Sequence, residues 1–148
     1  MDEERLQVFI DGVTRYFKQV THRAAEVGTP YLAEGADKVA YDYTGIIGIS
    51  GIRKGCVYFT APTLMLKSLL LALGETDTSA ENQADLVGEV ANTISGNARR
   101  SFGSEFVIST PTIVPGSLGQ TALPHETRSF VIPITWQKHQ SGLVITLQ

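Results

Sequence analysis

Glu89 and Asn92 are the two residues of this sequence whose types and spacing could do chemistry together. They lie three apart, so on a helix they project as neighbours, about 60° apart around the axis. A carboxylate, which accepts hydrogen bonds, would stand beside an amide, which both donates and accepts them. Gly88 and Gly96 lie on or beside the same face, and each costs about 1 kcal/mol against Ala in a helix interior. Nothing local offsets that cost, and one reason to carry it is clearance for another surface to approach. Asp85 and Arg99 complete the polar face. A solvated surface pair is the alternative reading of Glu89 and Asn92, and the two residues by themselves leave both open.

Other chemistry is poorly provided for. The sequence has no GxGxxG, GxxxxGK[ST] or HExxH motif. His22, His125 and His139 are scattered through expected loops and helix ends, and no His, Cys and carboxylate cluster has metal-ligand spacing. Cys56 is the one cysteine, so no internal disulfide can form. It sits within an expected strand as a core thiol, with nothing nearby in sequence to depress its pKa. Arg99-Arg100 is a short basic pair that either faces solvent or meets an acidic partner. An enzyme so short of parts works only if its substrate brings them.

The element that carries Glu89 and Asn92 is an expected helix from about Ala80 to Phe102. Leu86, Val87, Val90, Ala91, Ile94, Ala98 and Phe102 form one apolar arc at 100° per residue, opposite the polar face. A first amphipathic helix is expected over Asp2 to Val20, on the stripe Leu6, Ile10, Val13, Phe17 and Val20. Tyr31 and Leu32 open a short strand. Val39 to Ser50 is a strand whose Gly45 and Gly48 imply a bulge or a close backbone approach. It forms a hairpin with Cys56 to Thr60. Pro62 to Leu73 is apolar nearly all round and should be buried on several sides. Phe106 to Val114, Phe130 to Gln137 and Leu143 to Leu147 are further strands, with Pro111 and Pro133 marking edges or bulges. A polar loop spans Pro115 to Arg128, and His139 to Gly142 is a turn.

This order implies a single α+β domain over residues 1–148, with helices packed against a mostly antiparallel sheet. A formal net charge of −3 and the lack of basic runs argue against nucleic acid or an anionic membrane as partner. The longest apolar run, Leu69 to Leu73, is far too short to span a bilayer. The acidic start Met1-Asp2-Glu3-Glu4 lacks the basic region of a signal peptide, so a cytoplasmic location is expected.

The sequence resembles the CheX branch of the CheC/CheX/FliY family of bacterial chemotaxis phosphatases. That family's signature is an Asp or Ser, a Glu four residues on and an Asn three further. Asp85, Glu89 and Asn92 match it, and Gly96 fits the small residue that follows. Gly45 to Gly51 is similar to the family's glycine-punctuated strand, and Ser109 to Gly116 to its Pro-Pro-Thr-hydrophobic segment. The resemblance implies a CheC/CheX-like fold and, as substrate, the aspartyl phosphate of a CheY-type receiver domain. Asn92 would orient the attacking water and Glu89 would pair with the receiver's active-site lysine. Asp85, Gly88, Gly96 and Arg99 would contact the partner, and the receiver would bring the Mg²⁺, with no metal or cofactor held by this chain. The first helix has Asp11-Gly12-Val13-Thr14 and no Glu-x-x-Asn, so the resemblance implies one site per chain. It also implies a homodimer joined through sheet edges, with the strand Val39 to Ser50 a candidate participant. The rival readings are a non-catalytic module of the same fold that binds a receiver or a flagellar-switch component, and a purely structural dimer.

Overall fold

The computed structural model describes residues 3–34, 39–116 and 128–147. The elements run α1 (Glu3–Thr21), β1 (Glu26–Val27), β2 (Tyr31–Ala33), β3 (Tyr43–Gly51), β4 (Gly55–Ala61), α2 (Thr63–Ala72), α3 (Ala80–Phe102), β5 (Phe106–Ile108), β6 (Thr112–Pro115), β7 (Ser129–Trp136) and β8 (His139–Leu147). The strands form one antiparallel sheet in the order β1-β7-β8-β4-β3-β5, with β2 also on β7 and β6 also on β3. The α+β architecture is as expected from the sequence, with additions and corrections in the sheet.

The three helices share one face of it. Ile47, Val57, Phe59, Ile132, Ile134, Trp136, Leu143 and Ile145 form one core with Phe9, Val13 and Phe17 of α1, Met65, Leu66 and Leu69 of α2, and Val87, Val90 and Ile94 of α3. Period-two alternation then puts Tyr58, Val131 and Val144 on the opposite face, in a small second cluster with Ala33. Among the described residues, no helix is long and apolar enough to cross a membrane.

Both outermost strands are divided, and a proline stands at each break. The expected strand Phe106 to Val114 is two pieces, β5 and β6, parted at Ser109-Thr110-Pro111. On the other side β1 pairs with Ile134 and Thr135, β2 with Ser129 to Val131, and the gap between them falls at Ile132-Pro133. Pro133 has no N–H to give an outer neighbour, so it is tolerated in a strand whose own outer partner is interrupted there. It marks neither an edge nor a bulge of β7, which pairs with β8 without a break from Phe130 to Trp136.

The turn after β7 also differs from expectation. Trp136 pairs with His139, so Gln137 and Lys138 alone make the turn, at φ of 47° and 73°. Positive φ at both central positions matches the twist of a two-residue hairpin. Neither residue is the Gly, Asn or Asp that usually signals such a turn, so the sequence hid it. His139 to Gly142 are strand, and Gly142 is a ladder residue between Pro133 and Thr60.

The ladder of β3 begins at Tyr43 rather than Val39. Ahead of it the Tyr41 amide donates to Thr60 Oγ1 at 2.7 Å, and the Tyr58 hydroxyl donates to the Val39 carbonyl at 3.1 Å. The Asp42 carboxylate accepts the Thr63 amide at 2.7 Å, which satisfies one of the orphan donors at the start of α2. β3 is an interior strand, with β4 on one flank and β5 and β6 on the other. Among the described residues it therefore offers no free edge, which counts against it as the candidate participant in an edge-to-edge dimer.

Helix α2 is less buried than its composition implied. Met65, Leu66, Leu69 and Leu70 face the core, but Leu64 and Leu71 are 68% and 62% exposed. Among the described residues it packs chiefly against α3 and β8, which leaves Leu64 and Leu71 on an open side. The loop expected at Pro115 to Arg128, with His125, lies largely outside the described residues.

Candidate functional site

Helix α3 is held from both ends. Ser79 caps it by accepting the Asn82 amide at 3.3 Å, and the Gly103 amide closes the last turn on the Arg99 carbonyl at 2.8 Å. Leu86, Val87, Val90, Ala91, Ile94 and Ala98 are buried as the apolar arc requires, and Phe102 is half-buried between the rings of Phe9 and Phe106. Asp85, Glu89 and Asn92 are all exposed. The structure therefore sets the three side chains in a row on the outer face of one rigid helix. Among the described residues neither the Glu89 carboxylate nor the Asn92 amide has a hydrogen bond or an ion pair. Both hold their full bonding capacity for something outside the chain.

The glycines around them do different work. A Cβ on Gly45 of β3 would lie 2.5 Å from the Val87 carbonyl oxygen and 2.8 Å from the Gly88 amide nitrogen. A Cβ on Gly88 would lie 2.7 Å from Ile113 Cδ1 and 3.2 Å from Pro111 Cβ. These two glycines let α3 sink against β3 and β6, so the clearance that Gly88 supplies is filled by this chain's own residues. Gly96 is different: a Cβ there would have nothing within 4 Å. With Arg99, Arg100, Gly103, Ser104 and Ile108 it borders an open hollow of about 390 Å³. The Arg99 side chain is tied down in part, its Nε donating to the Phe106 carbonyl at 3.1 Å.

The row of polar residues stands between two shallow grooves. One, of about 360 Å³, is bounded by Asp85, Gly88, Glu89, Asn92, Pro111 and Ile113. The other, of about 240 Å³, is bounded by Leu70, Leu73, Glu75, Asn82, Asp85, Leu86 and Glu89. Asp85 and Glu89 border both. Sequence reading assigned no site role to Pro111, Ile113, Leu70, Leu73 or Glu75, because three separate elements bring them to α3. For the first two a signal was present in the Pro-Thr-Ile run that follows the motif helix.

Tyr16 of α1 is a further neighbour that sequence reading missed. It is buried, and its phenol is pushed up to about 12, first by that burial and then by the charge of Glu89. The phenol therefore stays protonated at any working pH.

The remaining candidates stay apart from this row. His22 is exposed just past the end of α1 at φ 62°. His139 stacks on Trp136 with ring centroids 6.4 Å apart, and its Nε2 is 3.3 Å from Ser68 Oγ. Cys56 is buried. Among the described residues, no group of three or more His, Cys, Asp or Glu side chains converges as a metal site would require.

Comparison with known proteins now bears on the class. The sequence model of the family described as chemotaxis phosphatase CheX matches residues 43–135, and the chain belongs to that family. Comparison with curated protein sequences gives no match. Among solved structures, a CheC-like superfamily protein from Shewanella shares 23% identity, covering 100% of this chain and 99% of its own, with a TM-score of 0.82. The chemotaxis protein CheX from Vibrio vulnificus shares 21%, covering 98% and 99%, also with a TM-score of 0.82. The CheX of a CheX-CheY-BeF3-Mg²⁺ complex from Borrelia burgdorferi shares 18%, covering 97% of each chain, with a TM-score of 0.80. These likenesses establish the fold.

Proposed function

We propose that this chain hydrolyses the aspartyl phosphate of a CheY-type response regulator, with one Glu-x-x-Asn site per chain, ending a chemotaxis signal in the cytoplasm. The observation that carries the proposal is the pair Glu89 and Asn92, unpartnered and side by side on the exposed row of α3 in a member of the CheX family. A CheX is also known in complex with CheY.

Phosphoryl transfer needs positioning and charge stabilisation more than covalent help from the protein. The receiver supplies the phosphoryl group and the Mg²⁺ that offsets its charge. Asn92 holds a water in line with phosphorus, one amide atom accepting and another donating. Glu89 takes the receiver's active-site lysine and fixes the two proteins in register. The water oxygen forms the new bond to phosphorus and the bond to the aspartyl oxygen breaks. The receiver's aspartate is restored as a carboxylate, and inorganic phosphate leaves carrying the protons of the water. Asp85, Gly96 and Arg99 lie along the same side of α3 and complete the contact, whereas Gly88 is covered by Pro111 and Ile113 of this chain. If the chain pairs with itself through sheet edges, the strands available are β1 and β2 or β5 and β6, since β3 is enclosed.

The test is the lifetime of phosphate on a cognate receiver. The chain should shorten it, and Asn92→Ala should restore nearly the receiver's own lifetime while still binding. A wild-type chain that binds the receiver and leaves the lifetime unchanged would make the protein a binding module.

A further inference from the structure

The groove of about 240 Å³ beside α3 is not used by water positioning, because Asn92 does not border it. Its floor is apolar: Leu70 and Leu86 are 6% and 2% exposed, and Leu73, 38% exposed, forms its open side. Its rim is acidic, with Glu75, Asp85 and Glu89, and among the described residues no Lys or Arg borders it. The connector that carries Glu75 has a defined shape. Glu75 Oε1 accepts the Asp77 amide at 3.1 Å, and Asn82 Nδ2 donates to the Asp77 carbonyl at 2.9 Å.

We propose that this α2–α3 groove is a specificity-determining docking surface, which seats an apolar side chain of the receiver partner flanked by a lysine or arginine. The inference rests on the function proposed above and adds to it what selects the partner. Three observations fix the occupant. Asp85 and Glu89 border both grooves, so a partner whose lysine meets Glu89 and whose phosphate meets Asn92 must also lie over this rim. Carboxylates without a local cation complement a cationic surface and repel an acidic one, which governs partner choice and association rate. The volume is below the roughly 300–1,000 Å³ typical of small-molecule pockets and suits one or two side chains.

The test compares full-length wild type with Leu73→Ser and Glu75→Lys, both at exposed positions, as catalysts of dephosphorylation of the cognate receiver. Each variant should raise KM by about ten-fold, the size of a single anchor contact at an interface. The effect on KM should exceed that on kcat, and added salt should shrink the Glu75→Lys effect. Circular dichroism should show both variants folded, and Glu75→Gln, which removes charge alone, should fall between wild type and Glu75→Lys. Unchanged KM in Leu73→Ser and Glu75→Lys would overturn the inference while leaving the phosphatase reading intact. A dimeric wild type and a monomeric Leu73→Ser variant, with KM unaltered, would show that a second copy fills the groove and would overturn it too. Failure of the phosphatase reading is separate, because the wild type would then leave the phosphate lifetime unchanged before any variant is compared.

Discussion

Helices α1 and α3 are near twins in pattern and opposites in use. Both are long and amphipathic, and they lie antiparallel on one sheet face, with Phe9 against Phe102 and Gly12 beside Ile94. On the outer face of α1 the polar groups bond to each other: Gln7 Nε2 donates to Asp11 Oδ1 at 2.8 Å, and Thr14 Oγ1 to the Ile10 carbonyl at 3.1 Å. On α3 Glu89 and Asn92 bond to nothing in the described chain. The glycines repeat the contrast. A Cβ on Gly12 would make ordinary contact with Ile94 Cγ2 at 3.5 Å, whereas one on Gly88 would collide with Ile113. An exposed polar face becomes a candidate site when its groups are left unsatisfied on a helix seated this firmly.

The sharpest way to break that contrast is to remove one polar group from each helix. Asn92→Ala should slow receiver dephosphorylation by on the order of a hundred- to a thousand-fold, about 3–4 kcal/mol of barrier. Asp11→Ala should leave the rate unchanged. Equal losses in a phosphate-release assay would mean that α1 belongs to the site.

The second test concerns seating. Gly45→Ala forces a methyl group onto the backbone of α3 and should cost about 3 kcal/mol in urea unfolding. Gly88→Ala meets only side-chain ends of Ile113 and Pro111 and should cost about 1 kcal/mol. Gly12→Ala should be stabilising by about 0.5–1 kcal/mol, because helix propensity improves without a clash. If all three variants unfold at the same urea concentration, the close approach of α3 to β3 does not hold it in place.

A third test reads the contact between the two helices through pH. The Tyr16 phenol ionises near 10 when unfolded and at about 12 when folded. A raised folded value means the stabilising contribution is complete below pH 10 and is lost as pH climbs towards 12. The loss should be about 2–3 kcal/mol. Burial raises Tyr58 as well, so both residues slope the same way. Tyr16→Phe should flatten part of the fall in urea midpoint over that range. An unaltered slope would mean that Tyr16 is not buried against Glu89.

Much of this was legible in the sequence where the information is local. The period of 3.6 residues gave α1 and α3 to within a residue or two, and the exposed row on α3 follows from the same count. The hairpin of β3 and β4 was legible from β-branched runs between glycines. What escaped depends on distant partners. The groove walls come from α2 and β6, the breaks at Pro111 and Pro133 are defined by which strands lie outside them, and the Gln137-Lys138 turn lacks the usual residues. The apolar content of α2 implied burial on several sides, but among the described residues it is covered chiefly by α3 and β8. Gly88 was read as room for a partner, and β6 occupies that room.

The place of β8 in the sheet has a consequence for how the molecule comes into being. The strand that leaves the ribosome last among those described lies at the centre, joined to β4 from Gly55 to Thr60 and to β7 from Phe130 to Trp136. A nascent chain that ends at β7 can zip β3 to β4, but it holds β1, β2 and β7 as a detached flap. Between the two pieces the unpaired ladder of β4 is open to pairing with a neighbouring chain. Completion is therefore a late event, made by contacts about 90 residues apart, and chains with high contact order fold slowly. Truncation within β8 should trap the chain as two unjoined halves, with the exposed polar row already wound on α3 but without a finished sheet beneath it.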